Sequence, residues 1–179
     1  MAVPGNRGRG AILGEVVESL VIALVLAVII RVFVFEPFYI PSGSMEPTLL
    51  TGDRIIVSKL SYRIGMPGRG DVIVFKYPRD PSRVFVKRVI GLPGETVALR
   101  ESKLYINGRQ IPEPYLPEGL RFADFGPVRV PAGHLFMLGD NRNSSDDSRV
   151  WGFLDKRLII GKAVAIYWPP DRIRVIRHG

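Results

Sequence analysis

Two patterns of apolar residues divide the chain. Between Ala11 and Phe35 apolar residues follow one another with few interruptions, and residues 20–30 are wholly aliphatic. At about 1.5 Å per residue, a helix over this segment would reach roughly 37 Å, which is enough to cross a bilayer core of about 30 Å. The pattern therefore predicts a transmembrane anchor over residues 11–35.

A cleaved secretory signal is the alternative for this segment. The apolar run is followed by Arg31-Val32-Phe33-Val34-Phe35, which lacks the small residues at which a processing enzyme cuts. We therefore expect the anchor to be retained. Arg7 and Arg9 precede it and favour a cytoplasmic tail over residues 1–10, with residues 36–179 on the other side of the membrane.

After residue 36 the apolar positions form short runs rich in β-branched residues, separated by glycine and proline. These runs predict strands over residues 54–58, 71–76, 84–90, 96–99, 134–138 and 162–167. Asn107-Gly108 lies between alternating apolar positions and predicts a tight hairpin over residues 103–111. The segment 112–127 carries four prolines and is expected to lie exposed on a mainly β body.

Composition narrows the possible chemistry. The chain has no cysteine and only two histidines, so disulfides, thiolate metal sites and a cysteine nucleophile are excluded. Hydroxyls, carboxylates, lysines and arginines remain, and we predict no cofactor and no metal. The net charge of +8 suits anionic lipid headgroups or nucleic acid about equally. The predicted anchor favours lipid.

The first candidate for chemistry is the turn that follows the long apolar run. Pro41 and Pro47 each fix φ and remove a backbone donor, while Gly43 permits φ values closed to other residues. Such a rigid, irregular turn can present the hydroxyl of Ser44 or Ser42. An ordinary linker loop of Ser, Gly and Pro is the alternative.

The second candidate is the strand predicted over residues 84–90. Because side chains alternate along a strand, Phe85, Lys87 and Val89 share one face and Arg88 lies on the other. If the Lys87 face is turned inward, desolvation lowers the pKa of its amine. The alternative is an edge strand on which both cations are solvated.

The third candidate is the polar loop over residues 139–149, which follows an apolar run. Its alternating charges could pair within the loop and hold a hydroxyl or a carboxylate near a site. A solvated turn is the alternative. A calcium loop fits poorly, because the spaced ligands and the terminal glutamate of such loops are missing.

Together these stretches resemble bacterial type I signal peptidase, a membrane-bound Ser/Lys protease that removes signal peptides from exported proteins. The resemblance covers nearly all of residues 37–165. Its motifs are, in order, Pro41-Ser42-Gly43-Ser44-Met45 with Pro47-Thr48-Leu49 and Gly52-Asp53, then Arg69-Gly70-Asp71-Val72, then Lys87-Arg88-Val89-Ile90-Gly91 with Pro93-Gly94, and finally Gly139-Asp140-Asn141-Arg142 with Ser145, Asp147, Ser148 and Arg149.

The resemblance implies an antiparallel β pseudo-barrel in the bacterial cytoplasmic (inner) membrane, with one transmembrane helix and an extracytoplasmic catalytic domain. It implies signal peptides and the bilayer as partners, with no nucleic acid. Residue roles follow by position: Ser44 as nucleophile, Lys87 as general base, Ser42 in the oxyanion hole with the Ser44 N–H, Ser145 orienting the amine, and Asp147 with Arg149 bracing the site.

The resemblance also implies shallow apolar pockets and cleavage after small-x-small sequences. The implied substrate-binding residues are Phe38, Ile40, Pro41, Met45, Leu49, Ile55, Phe85 and Val86.

The residues themselves are consistent with a Ser/Lys site. A serine hydroxyl needs an adjacent base. His134 lies within an apolar run, where a structural histidine is the simpler interpretation, so Lys87 is the better candidate. Two other classes remain open: a self-cleaving peptidase related to SOS-type repressors, and an inert β module that binds lipid or nucleic acid.

Overall fold

The structure is a computed structural model that describes residues 9–178, with side chains described for residues 14–28, 34–62 and 65–178. It begins with helix α1, Arg9–Phe33, and continues into a β body. The other α-helices of this part of the chain are single turns, α2 (Ser61–Ile64) and α3 (Ser148–Trp151). A mainly β protein with antiparallel sheets was predicted, and this is confirmed.

The predicted transmembrane anchor over residues 11–35 is wrong. Among the described residues, no helix is both long enough and apolar enough to cross a membrane. The localisation deduced from the anchor, single-pass in the bacterial inner membrane, is overturned with it. Most of the predicted tail, residues 1–8, lies outside the described residues.

Twelve strands make up the β body as it is described, and every recorded pairing between them is antiparallel. They are β1 (Phe35–Tyr39), β2 (Arg54–Ser58), β3 (Val72–Tyr77), β4 (Asp80–Gly91), β5 (Thr96–Arg100), β6 (Lys103–Ile106), β7 (Arg109–Ile111), β8 (Phe125–Arg129), β9 (His134–Leu138), β10 (Leu154–Asp155), β11 (Ile159–Trp168) and β12 (Arg174–Val175). All six runs predicted from the β pattern are strands, and two of them, β2 and β9, have the predicted bounds.

The strands form two sheets. The larger has the order β1-β2-β11-β3-β4-β9-β10, with β12 added to β11, and the smaller has the order β7-β6-β5-β8. In the part of the chain that the structure describes, no pairing joins β10 back to β1, so the pseudo-barrel closure stays a prediction. The long strand β4 pairs with β3 on one side and with β9 on the other, and it carries Lys87 and Arg88 in its second half.

The hairpin between β6 and β7 turns where the sequence predicts it. Ile106 pairs with Arg109, and the two residues between them have positive φ, 51° at Asn107 and 79° at Gly108. Positive φ at both central positions is the requirement of the tightest hairpin turn, and Asn-Gly meets it at little cost.

The proline-rich segment is only partly the exposed excursion that was expected. Its prolines are exposed, but Phe122 is buried in the apolar cluster of the smaller sheet. Glu113 and Tyr115 turn back toward the larger sheet and contact Arg142 and Arg88. Apolar and charged side chains between the prolines therefore tie the segment to the body.

Candidate active site

The turn that carries Ser44 is anchored by apolar side chains that pack into the core. Residues Gly43–Met45 form a single 3₁₀ turn, and Met45 and Leu49 are fully buried in the core of the larger sheet. A Cβ atom at Gly43 would lie 2.7 Å from the Glu46 carboxylate. Glu46 is a flexible, partly exposed side chain that can move away, so space alone does not require glycine here. The φ of Gly43 is not in the left-handed region either.

Ser44 and Lys87 are in direct contact. The Lys87 Nζ donates to Ser44 Oγ at 2.8 Å and to the Val86 carbonyl at 2.9 Å. Lys87 is 3% exposed, and its Nζ lies 5.3 Å from the centre of the Phe85 ring. Of the two orientations that the strand pattern left open, the Lys87 face of β4 is turned inward, and the alternative of two solvated cations is wrong.

The environment of Lys87 disfavours its charged form. Burial lowers the pKa of the amine to about 8, although the carboxylates of Asp147, Asp146 and Asp140 act in the opposite direction. Desolvation outweighs them because none of the three is an ion-pair partner of Lys87 in the described structure. A substantial fraction of the amine is therefore neutral near neutral pH.

The polar loop over residues 139–149 packs against the other side of this pair. Asp147 is fully buried and receives two hydrogen bonds of 2.8 Å from the Arg149 guanidinium. It also accepts from the Gly139 N–H, and Arg149 donates to the Arg142 carbonyl. The ion pair predicted between Asp147 and Arg149 therefore exists, and the hydrogen bond from Gly139 to Asp147 links it to the start of the loop.

The two other predicted serines lie at the site without contacting the amine. Ser145 Oγ is buried and has no hydrogen-bond partner within the described residues. It packs so closely that a Cβ at Gly139 would overlap Ser145 Oγ and the Ser44 carbonyl. Ser42 is exposed, in extended backbone, next to the nucleophile turn. Their roles stay predictions.

Asn141 is a site residue to which the sequence analysis gave no role. Its backbone N–H donates to the Ser44 carbonyl at 3.2 Å, and its side-chain amide donates to the Gly43 carbonyl at 3.1 Å. These bonds fasten the Ser44 turn to the polar loop. Nothing local indicates them, because the two partners are separated by 98 residues along the chain.

The opposite face of β4 is occupied by Arg88, which is wholly buried. Its guanidinium forms a two-pronged pair with Asp140, at 2.8 and 2.6 Å. The remaining N–H groups donate to the Gly70 and Arg177 carbonyls and to Thr48 Oγ1. All five donors are thus satisfied.

A cleft of about 510 Å³ opens above Ser44. The residues that line it come from the Ser44 turn, from β4 and from the polar loop: Pro41, Ser42, Gly43, Ser44, Arg83, Val84, Phe85, Val86, Lys87, Ser144 and Asp146. Of the predicted substrate-binding residues, Pro41, Phe85 and Val86 are in this lining. The others belong to the apolar cluster of the larger sheet, either buried in it or packed against it: Ile40, Met45, Leu49, Ile55 and Phe38.

His134 is remote from this chemistry. Its Nδ1 lies 2.9 Å from the Ala132 carbonyl, and no contact joins it to Ser44 or Lys87 in the described chain. Among the residues that the structure describes, no group of three or more metal-ligating side chains lies close enough to hold a metal ion.

A serine hydroxyl held against a buried amine, in an open cleft at the edge of a sheet, is the arrangement of a hydrolase that uses serine. A sequence model of the signal peptidase family, peptidase S26, matches residues 13–168. The chain therefore belongs to the signal peptidase family, peptidase S26. It is an enzyme, a hydrolase with signal peptidase function.

Individual relatives carry the same description. The chain is 46% identical over 165 residues to a probable signal peptidase I-1 of Synechocystis sp., covering 88% of this chain and 84% of the relative. It is 43% identical over 171 residues to a signal peptidase I of Bacillus licheniformis, covering 89% and 91%. A crystal structure of a signal peptidase I from Enterococcus faecalis V583 is 38% identical and has a TM-score of 0.49, covering 55% of this chain and 97% of that chain.

Proposed function

We propose that this protein is a serine endopeptidase that removes signal peptides from exported preproteins, with Ser44 as nucleophile and Lys87 as general base. The observation that supports it best is the 2.8 Å contact between Ser44 Oγ and the buried Lys87 amine. Membership of the signal peptidase family supports the choice of substrate.

The lowered pKa is what makes an amine usable as the base. A lysine with its ordinary pKa of about 10.4 is neutral in only about four molecules in ten thousand at pH 7. With the pKa lowered to about 8, roughly one molecule in ten carries a free amine at that pH. The gain in competent enzyme is therefore more than a hundredfold.

The reaction begins when the neutral Lys87 amine takes the proton of Ser44 and the Ser44 oxygen attacks the carbonyl of the scissile bond. The negative charge on the carbonyl oxygen is stabilised by the Ser44 N–H and the Ser42 hydroxyl. Protonated Lys87 then gives its proton to the leaving amine. Water, deprotonated by Lys87, attacks the acyl-enzyme and releases Ser44.

The supporting groups keep these atoms in place. Asn141 holds the carbonyls of the Ser44 turn, and the Asp147–Arg149 pair holds the loop that closes over Lys87. Ser145, whose hydroxyl is buried and unpartnered within the described chain, is available to orient the amine.

Specificity follows from the shape of the cleft. An extended substrate would lie along β4 beside Pro41 and Val86, with its backbone adding to the edge of the sheet. We expect small residues to be required at the first and third positions before the cut, with Pro41, Phe85 and Val86 forming the apolar part of the cleft lining.

The test is incubation of the purified protein with a preprotein, followed by gel analysis. Ser44→Ala and Lys87→Ala each abolish cleavage while near-ultraviolet circular dichroism stays unchanged, and His134→Ala, the control, retains most activity. An active Lys87→Ala beside an inactive, folded His134→Ala would exclude the Ser/Lys assignment.

Specificity is tested with a set of substrates that differ only at the first position before the cut. Alanine is accepted there, and phenylalanine and lysine are rejected. Equal cleavage of all three would refute the shallow pocket.

A further inference from the structure

One edge of β4 is open beside the cleft. On one side, β3 pairs with β4 through Val84, Phe85, Val86, Lys87 and Arg88. On the other side, β9 pairs with β4 only from Arg88 onward. Within the described strands, residues 84–87 are therefore paired on one side only, and together with Arg83 they line the cleft that contains Ser44.

Arg83 lies at the far end of this edge and is held there by aromatic rings. The rings of Tyr77 and Phe85 are stacked, with centres 4.4 Å apart. The Arg83 guanidinium lies 5.3 Å from the Tyr77 ring centre and 5.1 Å from that of Phe85. Contacts with two aromatic rings restrict an exposed arginine side chain more than solvent alone does.

The charge of Arg83 is available to a ligand. In the described part of the chain no carboxylate forms an ion pair with it at 4.0 Å or less. The nearby Asp80 carboxylate accepts its hydrogen bonds from Ser82. These bonds lower the pKa of Asp80 more than the Arg83 charge does. Asp146 lines the same cleft and acts on Lys87. The cleft therefore has a negative group near the reacting serine and a fixed positive group toward its far end.

The distance along the strand sets which substrate residue meets Arg83. Arg83, Phe85 and Lys87 share a face of β4, and four residues of strand span about 13 Å at 3.3 Å per residue. A substrate strand added to this edge advances at the same rate. The side chain next to Arg83 is thus four or five residues from the bond that Ser44 attacks.

We propose that Arg83 selects the charge of the substrate at the fourth or fifth residue before the cleaved bond, favouring aspartate or glutamate there and disfavouring lysine or arginine. The inference rests on the proposed function, because it takes the residues before the cut to lie along β4. It adds a charge preference to the requirement for small residues next to the cut.

The effect should be modest and sensitive to salt. A single exposed charge contact changes an equilibrium by about two- to fivefold, so an aspartate substrate and a lysine substrate should differ by about three- to tenfold in kcat/KM. The Debye length falls from about 10 Å at 0.1 M salt to about 3 Å at 1 M, so the preference should shrink toward one at high salt.

The experiment measures kcat/KM for peptides that carry aspartate or lysine at one position, scanned over the third to sixth residues on each side of the cut. The wild-type protein prefers aspartate at the fourth or fifth residue before the cut. Arg83→Gln brings the ratio near one, and Arg83→Glu reverses it. Arg109→Glu, an equal change of charge on an exposed residue of the smaller sheet, leaves the wild-type ratio intact.

Each ratio compares two substrates with one enzyme preparation, so partial loss of folded protein cancels. A wild-type ratio of one at those positions, a ratio that Arg83→Glu does not change, or a preference found only after the cut would overturn the inference while cleavage itself persists. If the wild-type protein cleaves none of the peptides, the proposed function fails and the inference falls with it.

Discussion

The two faces of β4 place neighbouring cations in different electrostatic environments. Lys87 and Arg88 are adjacent in sequence and almost equally buried. Arg88 has Asp140 as a two-pronged partner and a hydrogen-bond acceptor for every remaining N–H group. Lys87 has only the Ser44 hydroxyl and a backbone carbonyl, and no ion pair in the described residues.

The difference separates a charge used for structure from one used for chemistry. A buried cation with a matched anion stays charged and holds its neighbours in place. A buried amine without such an anion is driven toward its neutral form, which can accept a proton. One strand can do both because alternate side chains point to opposite faces.

The largest expected effect is a difference in the free energy of unfolding between two single variants, one that lacks Arg88 and one that lacks Lys87. Arg88→Met leaves Asp140 buried without its partner and should lower the free energy of unfolding at pH 7 by about 3–5 kcal/mol. Lys87→Met removes a disfavoured charge and should cause no such loss, although it abolishes cleavage. Urea denaturation of both variants measures the contrast.

Arg157→Ala is the control for ion pairs. The Arg157 side chain is 89% exposed, so the free energy of unfolding should stay within experimental error of the wild-type value. Equal destabilisation by Arg88→Met and Lys87→Met would contradict the distinction between the two faces.

The next largest effect is a pH dependence of stability carried by Lys87. The pKa of its amine is about 8 in the folded protein and has the ordinary value of 10.5 in the unfolded chain. Between these values the unfolded chain binds more protons, so the free energy of unfolding rises with pH, by about 3 kcal/mol in total. Below about pH 8 both states are protonated and the contribution is constant.

Denaturation of wild type and Lys87→Met at a series of pH values isolates this contribution, because other groups titrate alike in both. The stability of the wild type relative to the variant should increase from pH 8 upward. A constant difference between pH 7 and pH 10 would show that the amine has an ordinary pKa.

A smaller effect is expected from the contacts that join the loop to the Ser44 turn. Asn141→Ala removes the side-chain bond to the Gly43 carbonyl and should lower kcat/KM about ten- to hundredfold through misplacement of Ser44. The control is Asn143→Ala, since Asn143 donates to the Arg121 carbonyl instead. If both variants kept wild-type kcat/KM, Asn141 would have no positioning role.

Local patterns in the sequence predicted much of the sheet and the shared face of Phe85 and Lys87, but left open whether that face is turned inward. Alternation on β4 placed Phe85 and Lys87 together, and Asn107-Gly108 placed the hairpin, because both are properties of a few successive residues. Strands β1 and β8 escaped notice since each contains a proline, which weakens a strand pattern. Pro37 is tolerated because β1 is an edge strand.

The sequence could not supply the contacts between distant segments, and it misled on whether the N-terminal helix is a membrane span. Arg88 was placed on the opposite face from Lys87, but its partners come from four separate parts of the chain. The apolar run before residue 36 predicted an anchor that the described helix does not provide. The predicted binding of lipid and the predicted absence of nucleic acid depended partly on that anchor, and both stay predictions.

The titration of Lys87 itself tests the central claim most directly. With ¹³C-labelled lysine and Lys87→Met for assignment, NMR can follow the Cε resonance of Lys87 in the folded, active enzyme from pH 6 to pH 11. We expect a single transition with a pKa of about 8, matching the pH at which kcat/KM rises. A pKa near 10 would leave too little free amine and would contradict Lys87 as the base.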